Sequence, residues 1–103
     1  LNAEDLLALQ VKAAGLPEPE RQYYYARPRK LRADFAWPDV MLLCECQGGV
    51  WSRRAHGSIT GILADIDRLN AATISGWRLI RVTPDMVKNG EALKLIERAL
   101  QVL

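Results

Sequence analysis

The stretch RADFAWPDVMLLCECQ, residues 32–47, decides the fold. Leu31, Ala33, Phe35 and Trp37 alternate with Arg32, Asp34 and Ala36, so residues 31–37 read as a half-buried strand with period 2. Pro38-Asp39 is a turn pair. Residues 40–47 run almost wholly apolar, as a central strand covered on both faces does, and a single charge, Glu45, interrupts them. A two-residue loop at Pro38-Asp39 predicts Trp37 opposite Val40 and Asp34 opposite Leu43. Asp34 and Glu45 then become diagonal neighbours on one face, about 7–8 Å apart at the backbone. Carboxylates converging from that distance can hold a divalent cation, since Mg²⁺ takes one or two carboxylates and keeps waters for a substrate phosphate. The competing reading pairs these acids with Arg32, Arg78 or Arg81, because a buried carboxylate is costly unless it is paired or metal-bound.

Upstream, Asn2 can cap a helix whose Leu7, Val11 and Ala14 fall on one face, and Gly15 and Pro17 stop it. Residues 16–20 read as a linker and residues 22–26 as an aromatic-rich strand, broken by Arg27-Pro28. Downstream, residues 47–57 read as a loop containing Gly48, Gly49, Trp51, Arg53, Arg54 and His56. Ser58 can cap a second helix whose expected buried stripe is Ile62, Ile66, Leu69 and Thr73, ended by Gly76. Residues 77–83 form a strand, 84–90 a turn with a short helical piece, and 91–103 a closing helix with Leu93, Ile96, Leu100 and Leu103 on one side. The order predicts a three-stranded antiparallel meander, then a crossover helix returning a fourth strand parallel to a neighbour.

The 103 residues suit one domain, and no apolar run approaches the roughly 20 residues a membrane span needs. A partner role for the membrane is therefore not expected. Cys44 and Cys46 are too close in sequence for an unstrained disulfide, and with His56 they make too few ligands for zinc. Reduced cysteines imply a cytoplasmic setting. Net charge is only +2, but Arg21, Arg27, Arg29, Lys30 and Arg32 are interleaved with Tyr23, Tyr24 and Tyr25 without an acid. Such a stretch suits a nucleic-acid backbone, or alternatively guards an edge strand against aggregation.

The segments RADFAWPDVMLLCECQGGVW, HGS and ADIDRLNAATISGWRLIRVTPDMV resemble small phage and bacterial nucleases of the PD-(D/E)XK superfamily, in particular the very-short-patch-repair-like group. The resemblance runs from about Arg21 to the C-terminus and shares the order αβββαβ. It implies an α/β, restriction-endonuclease-like fold: a mixed central sheet flanked by helices, with an extra C-terminal helix. It also implies a DNA endonuclease using Mg²⁺ or Mn²⁺. Asp34 matches the motif's first acid and Glu45 its second. Both would be metal ligands, with the Cys46 carbonyl a third, while Asp39 lies in the turn and is not the motif acid. Gln47 stands where the motif has Lys, which removes the usual cation and makes Arg68, on the following helix, the candidate replacement. His56 would act as base or phosphate contact, or is simply a surface loop histidine. Glu4, Glu20 and Asp65 are further acids that could join the metal. Arg27, Arg29, Lys30, Arg32, Arg53 and Arg54 would hold the DNA backbone, and Trp51 would stack on a base or pack over its loop. Many such nucleases cut as homodimers, which leaves that state open here. The departure at Gln47 keeps a second reading alive, a DNA-binding module that is weakly active or inactive. A third, a purely structural subunit with ion-paired acids, follows if no metal binds.

Overall fold

In the computed structural model, which describes residues 1–47 and 58–102, helix α1 (Ala3–Ala13) leads into strands β1 (Glu20–Tyr24), β2 (Arg32–Trp37) and β3 (Leu42–Cys46). Helix α2 (Ile59–Ile74), strand β4 (Arg78–Val82) and helices α3 (Pro84–Lys88) and α4 (Glu91–Gln101) follow. The sheet runs β1-β2-β3-β4, with the first three strands antiparallel and β4 parallel to β3. The meander and the parallel return through a helix are as the sequence predicts. Caps fix the helix starts: Asn2 accepts from Asp5 N at 2.8 Å, Ser58 from Gly61 N at 3.0 Å and Thr83 from Met86 N at 3.2 Å. No helix among the described residues is long and apolar enough to cross a membrane.

The continuous apolar run of β3 is explained by burial on both sides. On one face Leu42 and Cys44 pack with Phe35, Trp37 and Val82 against Leu7 and Val11 of α1, Val87 of α3 and Ala92 and Ile96 of α4. On the other, Leu43 packs with Ala33, Ala36 and Tyr25 against Ala71 and Ala72 of α2.

Three local expectations are corrected. The β2–β3 connection is not a two-residue hairpin. Pro38–Val40 form a 3-10 turn, Met41 closes it at φ 51, and Trp37 pairs with Leu42 rather than Val40. The offset is two residues, so every β3 side chain keeps its expected face. The first strand begins at Glu20, inside the expected linker, and ends at Tyr24. On α2 the supposed buried stripe points outward: Ile62, Ile66, Leu69 and Thr73 are exposed, while Gly61, Asp65, Arg68 and Ala72 turn inward. Periodicity revealed the apolar side of this helix but not that small residues would be the ones lying on the sheet.

Candidate metal and nucleic-acid site

The β1–β2 ladder contains a change of face. Arg21 pairs with Phe35 and Tyr23 with Ala33, positions that regular alternation would put on one side. Instead Phe35 belongs to the core under α1 and α4, with Arg21 5.1 Å over its ring, whereas Ala33 and Tyr23 belong to the core under α2. Between those pairs on β1 stands Gln22, a non-glycine residue at φ 51 and a kink in that strand. Asp34 lies across from this kink. Its Oδ2 accepts the Cys46 N–H at 2.7 Å, just beyond Phe35–Cys44, where the β2–β3 register ends. The carboxylate thus stands where a strand carbonyl would otherwise complete the ladder.

The kink also brings α1 to Asp34. Gln22 Nε2 donates to Asp34 Oδ1 at 3.2 Å and to Glu4 Oε2 at 3.1 Å, and Arg21 Nη2 bonds Glu4 at 2.8 Å and Asp5 at 2.9 Å. Burial raises the Asp34 carboxyl above its ordinary value. The Cys46 N–H pulls it back, Glu4's charge adds to the rise, and the net direction is up. Glu4 and Asp5 lift the Arg21 guanidinium, so it stays charged.

Glu45 faces the other way. It is 6% exposed and shares its side of β3 with Leu43, under α2. Arg68 Nη2 of α2 donates to Glu45 Oε2 and, at 2.8 Å, to the Arg32 carbonyl. Arg81, the β4 partner of Glu45, places Nε 3.5 Å from Glu45 Oε1. That is near enough to attract but off the line of a hydrogen bond, so Glu45 Oε1, Arg81 Nε and Arg81 Nη2 are buried with no hydrogen-bond partner among the described residues. Tyr25 backs the cluster, its hydroxyl 3.5 Å from the Arg68 carbonyl and its ring 5.8 Å from the Arg68 guanidinium. Burial would lower Arg68's pKa, but the Glu45 bond and charge outweigh it, and the guanidinium is held above its ordinary value.

The expected convergence of Asp34 and Glu45 on one point is therefore not what the structure shows. Asp34 is tied to the α1 side and Glu45 to two arginines on the α2 side. Among the described residues no group of three or more His, Cys, Asp or Glu is arranged to hold a metal ion. Two surface cavities, one of about 470 Å³ beside α1 and one of about 630 Å³ lined by Tyr24, Arg27, Pro28, Arg29 and Lys30, are lined by neither acid.

The remaining candidates sort by place. Arg68 reaches Glu45, in an ion pair. Gln47 is half-buried, its N–H donating to the Val82 carbonyl at 2.7 Å. Glu4 joins Asp34, whereas Glu20 is exposed at the start of β1, opposite Ala36. Asp65 contributes only its charge to Arg68. Arg27 and Arg32 lie 5.7 and 5.8 Å from the Tyr24 ring, Lys30 is exposed beside them, and Arg29 is paired with Asp67. Arg78 is structural, bonding the Ala99 and Val40 carbonyls at 3.0 Å each. Trp51, Arg53, Arg54 and His56 lie outside the described residues. Both cysteines are free. Burial pushes the Cys46 thiol up to about 12 and Cys44 well above its ordinary value, which leaves neither as a thiolate at neutral pH. Sequence reasoning missed Gln22, whose positive φ no glycine advertised; Arg81 at Glu45 is among the arginines that the competing ion-pair reading offers, while Arg68 is not. No protein-family model, curated protein or solved structure matches this chain.

Proposed function

We propose that this chain is a DNA nuclease domain of the restriction-endonuclease-like type, hydrolysing phosphodiester bonds with a Mg²⁺ or Mn²⁺ ion for which Glu45 would be the ligand; Asp34, tied to the α1 side, does not share that point in the arrangement described. Glu45 carries the reading: a carboxylate buried in the central strand, with Oε1 left without a hydrogen bond among the described residues. The donor chemistry fits a hard cation. Glu45 Oε1 is an oxygen without a hydrogen bond among the described residues, and Mg²⁺ can be held by one carboxylate while keeping most of its waters. When bound, the cation would lower the pKa of a water and neutralise a scissile phosphate.

In the arrangement described, Arg68 and Arg81 supply the positive charge that Glu45 requires. A cation on Glu45 would leave Arg68 to face phosphate, and Arg68 already bridges Glu45 to the Arg32 carbonyl, the residue whose side chain lies over Tyr24. The basic side chains of Arg27 and Arg32 lie over Tyr24, and the tie from that strand to Glu45 is the Arg32 carbonyl alone.

One observation favours the second reading, a DNA-binding module without cleavage: Glu45 is already compensated by two arginines. Supercoiled plasmid with Mn²⁺ or Mg²⁺ separates the two. Nicking by the wild type that is lost in Glu45→Gln, with DNA affinity kept, supports the nuclease. Salt-sensitive binding without nicking, and no heat of Mn²⁺ binding, leaves the module.

A further inference from the structure

Helix α2 is built inside out. Toward the sheet it turns Gly61, Asp65, Arg68 and Ala72, none of them large and apolar. Toward solvent it turns Ile59, Ile62, Leu63, Ile66 and Leu69, which are 46–76% exposed. Isolated exposed aliphatics are ordinary, but five of them contiguous on one helical face mark an interaction surface. We infer that this face of α2 docks on the same face of a second copy of the chain, as an antiparallel helix pair about a two-fold axis.

Two observations point to a second copy rather than an unrelated occupant. The first is spacing. Ile59, Ile62, Ile66 and Leu69 follow one another at intervals of three, four and three residues. That series reads the same from either end. In an antiparallel pair centred on position 64, Ile62 meets Ile66 of the other copy and Ile59 meets Leu69, each contact occurring twice. A closed two-fold interface requires such self-complementarity. The second is area. From their fractional exposure, the five side chains offer roughly 500 Å² per copy, hence about 1,000 Å² over the pair, the size at which a specific interface begins. The stripe carries no charge: Asp67 leaves it to pair with Arg29, and Arg68 points inward to Glu45. No like charges oppose the approach. The inference is independent of the nuclease reading, because none of the five side chains is among the groups placed at Asp34 or Glu45.

Sedimentation equilibrium across micromolar to sub-millimolar concentration tests it. The wild type is expected to sediment as a dimer and Ile62→Glu or Ile66→Glu as a monomer with unchanged circular dichroism. The substitutions are on an exposed face, so folding is not at stake. Register is tested by oxidation. The double variant Ile62→Cys/Ile66→Cys should yield a covalent dimer through 62–66 bonds, whereas neither single variant should, against a wild-type control for Cys44 and Cys46. A wild type that stays monomeric throughout overturns the inference and leaves the stripe to a different partner. A dimer that survives both glutamate substitutions overturns it as well, by placing the contact elsewhere.

Discussion

Asp34 is a carboxylate in unfavourable surroundings. Burial and Glu4 raise its pKa, so the folded chain holds the proton more tightly than the unfolded chain does. The stabilising contribution of a raised group is present at low pH and is lost as pH rises through the folded pKa, so at neutral pH ionised Asp34 works against folding. Asparagine keeps an oxygen for the Cys46 N–H and removes the charge. Asp34→Asn should therefore melt above the wild type at pH 7, with the gap closing as pH falls to the ordinary carboxyl value of 3.8. Paired thermal melts across pH check this, and a wild type more stable than the variant at pH 7 would refute it. Glu45→Gln should go the other way, because it leaves Arg68 and Arg81 facing a neutral amide. The loss expected in urea unfolding is about 3 kcal/mol, the low end for breaking a buried pair, since both guanidiniums are partly exposed. Both acids stood out in the sequence as charges set in strand patterns. Their separation did not, because strict alternation puts both acids on one face, whereas β2 changes face between Ala33 and Phe35, at Asp34 itself.

Among the elements, β3 and α4 were the most legible and α2 the least. An uninterrupted apolar strand has only one place in a mixed sheet, the centre, and the parallel register with β4 puts it there. In α4, Ile96 is fully buried in the core with Leu93 and Leu100 packed around it, while its charged residues face out. Ile96→Ala should cost about 2–5 kcal/mol by emptying a closed site, read as a drop in denaturant midpoint with unchanged slope. A loss under 1 kcal/mol would mean that α4 is not docked as described. Helix α2 follows different physics. Ala71 and Ala72 allow it to lie against the sheet near its C-terminal end, and Arg68 needs a path to Glu45. The inward side is accordingly small and polar, and the aliphatic side is left over. A hydrophobic period says which residues share a face; it does not say which neighbour that face meets.

For the whole molecule, a net charge of +2 conceals an asymmetry. Glu4 and Asp5 hold Arg21, Asp67 holds Arg29, and Glu45 holds Arg68. Arg27, Lys30 and Arg32 are in no ion pair among the described residues, and all three lie at the Tyr24 end of the β1–β2 pair. If that end grips a nucleic-acid backbone, each cation that contacts a phosphate displaces about 0.9 of a counterion. Arg27→Ala/Arg32→Ala should then flatten the slope of log affinity against log salt by about 1.8, by similar amounts for unrelated DNA sequences. Arg29→Ala should change it less, since Asp67 already offsets that charge. The alternative role, guarding the exposed strand β1 against edge pairing, predicts another outcome: an unchanged salt slope and a double variant that aggregates where the wild type stays clear. Fluorescence anisotropy over a salt series, with light scattering on the same samples, distinguishes the two, because only phosphate contact links the arginines to the ionic strength at which DNA is released.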